Sequence, residues 1–248
     1  MSETFFTTGG LGDAWIQMLK ILNICEKEFI WHHITGQAIH VTPISELQSL
    51  VTKHYNCKQV KRGDVQRYAA KFLQKHPGTI RVSSKTQDKD MPIITPKLDF
   101  IGQGRIMPQD YIVIQPIAGR PNDNSKRYIS RDALKNIVKQ LSKTTIVLLG
   151  ARFDFIAPNV INLTNNTNIY GAINIIYNAQ TFIGYHGFLS YVSMSTDKKT
   201  YILFDDPRLL DHYMNEQWKK NSTIIPVNKY IEGPTILNDA NAILRRMT

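Results

Sequence analysis

Cysteine is almost absent: Cys25 and Cys57 are the only two among 248 residues. They have neither a CxxC spacing nor a companion histidine cluster, which argues against a disulfide framework or a structural zinc site and leaves both as reduced thiols. Long apolar runs are missing too. No stretch approaches the roughly 20 residues that span a bilayer, and the opening MSETFFTTGG lacks the basic flank and apolar segment of a secretory signal. The expectation is a cytoplasmic chain with no transmembrane segment. Acidic residues are few beside basic ones, 20 against 30, so the net charge is +10 and the pI is near 9.5. That balance favours partners carrying phosphate or carboxylate. No helix-turn-helix, zinc finger or RNP motif supports a dedicated nucleic-acid reader.

What is present is the composition of a folded chain, with 42% hydrophobic and 10% aromatic residues, long enough for one large domain or two compact ones. In the second half, short β-rich runs alternate with helical patterns, the signature of a parallel sheet covered by helices. The strands expected are Tyr111 to Gln115, Thr145 to Leu149, Val160 to Leu163, Thr181 to Gly184, Tyr201 to Phe204 and Thr223 to Val227. Ser130 caps a helix whose Leu134, Ile137, Val138 and Leu141 form one apolar face. Ile169, Ile173 and Ile176 mark another helix, a short one starts near Leu189, and helical stretches lie at Leu209 to Trp218 and from about Ile236. The first half repeats the pattern loosely: a strand ending near Thr8, a Gly-rich turn, an apolar helix from Ala14 to about Ile24, a strand at Phe29 to Trp31, and helices at Ser45 to Lys53 and Asp64 to Lys75. Between Ser83 and Pro108 the chain is polar and broken by Pro and Gly. The expected division is therefore an α/β lobe over 1–105 and a second over 106–248, with a cleft where the carboxyl ends of both sheets face each other.

Three segments carry candidate chemistry. Gly9, Gly10 and Gly12 precede Asp13 between a strand and a helix, so backbone can approach a ligand there. Asp13 reads either as a helix cap or as a general base for an attacking hydroxyl. Lys126 and Arg127 stand in the polar loop Gly119 to Ser130, as solvated cations or as neutralisers of a diphosphate. The run Phe182 to Tyr191, FIGYHGFLSY, passes from strand through a turn into a short helix, where amides from Gly187 to Ser190 and the His186 imidazole can meet phosphate oxygens. Asp88-Lys89-Asp90 spells a DxD metal pattern without a strand before it, Asp205 and Asp206 read as a strand-to-helix turn, and His32, His33 and His40 read as structural. No metal site is expected.

Gly12-Asp13 after a short strand, Lys126-Arg127-Tyr128 and FIGYHGFLSY together resemble the heptosyltransferase-like, GT9-type glycosyltransferases of the GT-B fold. The resemblance covers nearly the whole second lobe but only the first turn and helix of the first. It implies two Rossmann-like, doubly wound lobes facing a central cleft: an acceptor-side lobe, reduced here, and a nucleotide-sugar lobe. It implies Asp13 as the catalytic base that deprotonates the acceptor hydroxyl. Gly10, Gly12, Lys126, Arg127, His186, Gly187, Phe188, Leu189 and Ser190 would bind the nucleotide sugar, with Lys126 on the diphosphate. Such enzymes work without a metal or other cofactor and invert the anomeric centre. The chain departs from the family where its late Asp becomes His186, its Gly becomes Phe188 and its His after Ser becomes Tyr191, so heptose is not carried over.

The expected function is sugar transfer from a nucleoside-diphosphate sugar to a hydroxyl of an anionic acceptor: a glycan, a lipid head group or a modified nucleic-acid base. The rival reading is a nucleotide or nucleotide-sugar binding or sensing module without catalysis. An epimerase of related architecture is disfavoured because no paired carboxylates have a clear cleft assignment. The residues do not specify an oligomeric state.

Overall fold

The computed structural model describes residues 2–85, 107–108, 110–118, 127–204, 214–227 and 235–247. The chain forms two compact units, Met1–Phe100 with Asp211–Asn215, and Ile101–Leu210 with Glu216–Thr248.

The first unit opens with β1 (Thr4–Thr8), whose Phe5 and Phe6 are fully buried. Helix α1 (Leu11–Ile24) follows, starting three residues before the apolar stretch that marks it in sequence, because Gly10 is its N-cap and Asp13 closes its first turn. Every residue from Ala14 to Ile21 is buried, so α1 is a core helix rather than a surface one. Next come β2 (Ile30–Thr35), α2 (Val41–Ser49), β3 (His54–Gln59), α3 (Val65–Lys75) and β4 (Ile80–Arg81). These strands form a parallel sheet in the order β3-β2-β1-β4. Helix α2 ends at Ser49, short of the expected Lys53, and the following edge strand β3 has no apolar alternation. Five of its six residues are exposed, and among the described residues it pairs only with β2.

The second unit contains β5 (Tyr111–Ile114), β6 (Ile117–Ala118), β7 (Arg127–Ile129), α4 (Arg131–Gln140), β8 (Thr145–Leu148), β9 (Val160–Asn162), α5 (Ile169–Tyr177), β10 (Thr181–Tyr185), α6 (Phe188–Met194), β11 (Lys199–Phe204), α7 (Glu216–Asn221), β12 (Ser222–Pro226), β13 (Thr235–Leu237) and α8 (Asn241–Met247). Six strands make a parallel sheet in the order β12-β11-β10-β5-β8-β9. Ser130 caps α4 as its sequence suggests, its Oγ accepting from the Ala133 amide at 3.2 Å, and Leu134, Ile137 and Val138 pack into the core. Two expectations change. Arg127 stands in a strand, not in an irregular loop, and Ile236 belongs to β13, with the final helix starting at Asn241. Both follow from a small second sheet, β13-β7-β6, in which β7 runs antiparallel to β6 and parallel to β13. The Tyr185 hydroxyl joins that sheet to the main one, donating to the Tyr128 carbonyl at 2.6 Å and accepting from the Leu237 amide at 3.2 Å.

Gly184 lets the central strands close up. A Cβ there would lie 2.8 Å from Gln115 Cβ and 2.6 Å from the buried Phe182 ring. Gly184→Ala is expected to destabilise the second unit by about 1–3 kcal/mol through overpacking, read as a lowered urea midpoint.

Candidate functional site

Ligands of open α/β sheets bind at the carboxyl ends of the two strands where the winding reverses direction. In the first unit these are β1 and β4, and in the second β5 and β10. Gln17 spans the first point from α1, its Nε2 donating to the Thr8 carbonyl at 3.0 Å and the Val82 carbonyl at 3.2 Å.

The turn after β1 carries Asp13. Gly9 has φ +132°, a conformation that favours glycine, and its amide donates to the Ile34 carbonyl. The Gly10 amide donates to Asp13 Oδ2 at 2.8 Å. This is one half of a capping box, since Gly10 has no side chain to return the bond. The capping reading of Asp13 is therefore realised through one oxygen, while the carboxylate stays half-buried at the mouth of the turn. A Cβ on Gly9 would lie 2.6 Å from both Asp13 Cβ and Oδ2, so residue 9 must be glycine for the carboxylate to sit where it does. Gly12 falls within the first turn of α1.

In the second unit the strand β10 runs directly into His186 and Gly187. Gly187 adopts φ +155°, ψ −163°, a region only glycine visits readily, and a Cβ there would meet no atom within 4 Å. Its amide donates to Ser190 Oγ at 2.9 Å, and that hydroxyl donates back to the Gly187 carbonyl at 2.9 Å. Ser190 is fully buried, and its hydroxyl braces the turn. Leu189 is also buried, whereas Gly187 and Phe188 remain half-buried at the turn itself. His186 Nε2 lies 2.6 Å from Tyr191 Oη, with Phe204 edge-on to the ring. Burial, and secondarily the positive charge of Arg127, push the imidazole down to about 3. It is thus neutral at pH 7, with Arg127 as its charged neighbour. These two residues are brought together in one unit; Asp13 belongs to the other. Lys126, Asp88, Lys89, Asp90, Asp205 and Asp206 lie outside the described residues.

Three further residues bear on these turns. His33, which spacing marks as structural, is fully buried and bonds both Thr7 and Gly9. His40 reaches Gly10, its Cε1 3.2 Å from where a Cβ there would stand. Gln115 ends β5 at the second unit's reversal, buried, with an Oε1 that has no hydrogen-bond partner among the described residues. Its place directly after an apolar strand and before Pro116 is the one sequence signal that could have found it.

No protein-family model matches the sequence, and no curated protein does. Solved structures do. Escherichia coli ADP-heptose lps heptosyltransferase II superposes with a TM-score of 0.61 at 11% identity, covering 98% of this chain and 97% of that one. E. coli heptosyltransferase WaaC with ADP gives 0.56 at 13% identity over 100% and 99% of the two chains. A family 9 glycosyl transferase from Veillonella parvula gives 0.53 at 10% identity over 90% and 86%. At such identities the likeness speaks to architecture, and the architecture is that of GT-B glycosyltransferases, built from two Rossmann-like α/β units.

Acid should loosen both turns. His33, held at about 4 by burial, and His186, held at about 3, stay neutral in the folded chain but take up a proton near pH 6.5 when unfolded. The unfolded state binds more protons between those values, so stability falls as pH drops from 6.5 towards 4, by at most about 1.4 kcal/mol per pH unit for each histidine. Urea midpoints measured from pH 7.5 to 4 should fall only below 6.5, and His186→Gln should flatten part of the slope.

Proposed function

We propose that this protein is a glycosyltransferase that moves a sugar from a nucleoside-diphosphate sugar to an acceptor hydroxyl, with inversion and without a metal. The observation that carries the reading is the winding reversal of the second unit, which ends in the His186-Gly187-Phe188 turn with Arg127 beside it. A reversal point lined by a glycine-only turn and a cation suits a diphosphate. The GT-B architecture supports the same reading, since one similar structure is a heptosyltransferase holding ADP. Lys126, by its resemblance to the family lysine, is assigned to the diphosphate together with Arg127.

In the proposed reaction the acceptor oxygen attacks the anomeric carbon and the bond to the diphosphate breaks. Charge grows on the departing diphosphate, where fixed cations stabilise it more in the transition state than in the ground state. The hydroxyl proton passes to Asp13, whose second oxygen is fixed by the Gly10 amide.

An anionic acceptor fits the distribution of charge. Residues 51–85 hold nine of the basic residues, Lys53, Lys58, Lys61, Arg62, Arg67, Lys71, Lys75, Arg81 and Lys85, against the single acid Asp64. All nine side chains are exposed on the first unit. Glycan, lipid head group and nucleic acid share this chemistry, and binding to duplex DNA that falls steeply with salt would single out the last.

A second reading, nucleotide binding without transfer, draws on the late turn, where His186 and Tyr191 bond to each other at positions that differ from the family motif. One set of measurements separates the two. With turnover followed across a panel of nucleotide sugars, Asp13→Ala should lower kcat by about 10²–10⁴-fold while leaving ADP, GDP or UDP binding unchanged by titration calorimetry. Arg127→Ala should instead weaken nucleotide binding by about 10-fold or more. Nucleotide binding with no transfer from any donor supports the second reading, and full turnover in Asp13→Ala refutes Asp13 as the base.

A further inference from the structure

Behind the Asp13 turn lies a chain of hydrogen bonds, buried at its inner end, whose proton positions are fixed by chemistry. The Gly9 carbonyl can only accept, so His33 Nε2, 3.2 Å away, carries the proton and donates it. With the ring held neutral by burial, Nδ1 is then the acceptor. The group facing it at 2.7 Å is the Thr7 hydroxyl, whose single proton goes to this nearer acceptor rather than to the His32 carbonyl 3.3 Å away. That same oxygen accepts from the Trp31 indole N–H at 2.7 Å. His33, Thr7 and Trp31 are all fully buried. The Gly9 carbonyl and the Gly10 N–H belong to one rigid peptide plane, and that N–H donates to Asp13 Oδ2. The bonds therefore run in one direction from Trp31 through Thr7, His33 and the 9–10 peptide to the carboxylate, each polarising the next.

We infer that His33 is a positioning residue for Asp13: it orients the 9–10 peptide so that one carboxylate oxygen is bound to the backbone and the other is aimed at the acceptor. This rests on the transferase reading for its catalytic consequence, though not for the geometry. A rotation of that peptide would remove the Gly10 amide from Oδ2 and free the side chain to change rotamer. The neighbouring strand β2 supplies both the His33 bond and the Ile34 carbonyl that receives the Gly9 amide, so the turn is held from a single strand.

Three variants and two readouts test it. In the full chain, the Gly10 amide resonance in ¹H–¹⁵N spectra should shift in His33→Phe as it does in Asp13→Ala, and return towards its wild-type position in His33→Gln, whose amide can still donate to the Gly9 carbonyl. Transfer by His33→Phe should drop at least about tenfold in kcat with the donor KM unchanged, and recover in His33→Gln. Should His33→Phe fail to fold, Thr7→Val removes the hydroxyl that faces Nδ1 and should move the same resonance. An unmoved Gly10 signal in a folded His33→Phe or Thr7→Val variant overturns the inference whatever the protein catalyses, and so does an unchanged kcat in His33→Phe. No transfer by the wild-type chain from any donor, with the Gly10 signal still responding to His33, would instead overturn the transferase reading, and full turnover in Asp13→Ala would overturn its assignment of the base; both leave the hydrogen-bonded chain standing.

Discussion

Parallel pairing is the constraint on which everything else depends. A parallel strand cannot be reached by a tight hairpin, so each connection must cross over a face of the sheet, and a sheet covered on both faces must begin in its interior and wind outwards twice. Both units do so, from β1 and from β5. Where the winding reverses, two neighbouring strands send their connections to opposite faces and leave a gap at their carboxyl ends. The glycine-dependent turns at 9–10 and at 187 occupy those gaps. Their chemistry follows from the topology, because there the chain turns directly after a buried strand.

Each gap is stiffened from below by a polar group taken out of water. In the first unit His33 and Gln17 bind carbonyls at the strand ends, and in the second Tyr185 ties β10 to β7 and β13. Burying such groups is unfavourable unless they are bonded, and every one of these carries bonds to backbone. The backbone beside the candidate chemistry is thereby fixed in place, which a purely apolar core would not achieve.

The main sheets could be read from the residues, because β5, β8, β10 and β11 are compact apolar runs and α4 has both a cap and one clear apolar face. The Asp13 and His186 turns were visible for the same reason: glycine and a polar residue stand directly after an apolar strand. Strand β3 was hidden since HYNCKQ shows no period of two, and β6, β7 and β13 are two or three residues long and exist through pairing with distant segments. His33 and Gln115 were hidden for another reason. Nothing in the sequence near His33 tells that Thr7 and Gly9 will flank its ring, and Gln115 gains its meaning from Gly184, nearly seventy positions on. The bracing role of Ser190 likewise appears only when Gly187 is seen in its extended, glycine-only conformation.

The pairing of β7 with β13 has a temporal meaning. Arg127 is aligned with Thr235 in that ladder, and the Tyr185 hydroxyl that secures the pair needs the Leu237 amide. During synthesis, β5 through β11 can emerge and stack while Arg127 still has only the two-residue β6 to lean on. Arg127 beside His186 is thus held by both its neighbours only once residue 237 has left the ribosome, so the last strand of the chain completes a ladder begun more than a hundred residues earlier.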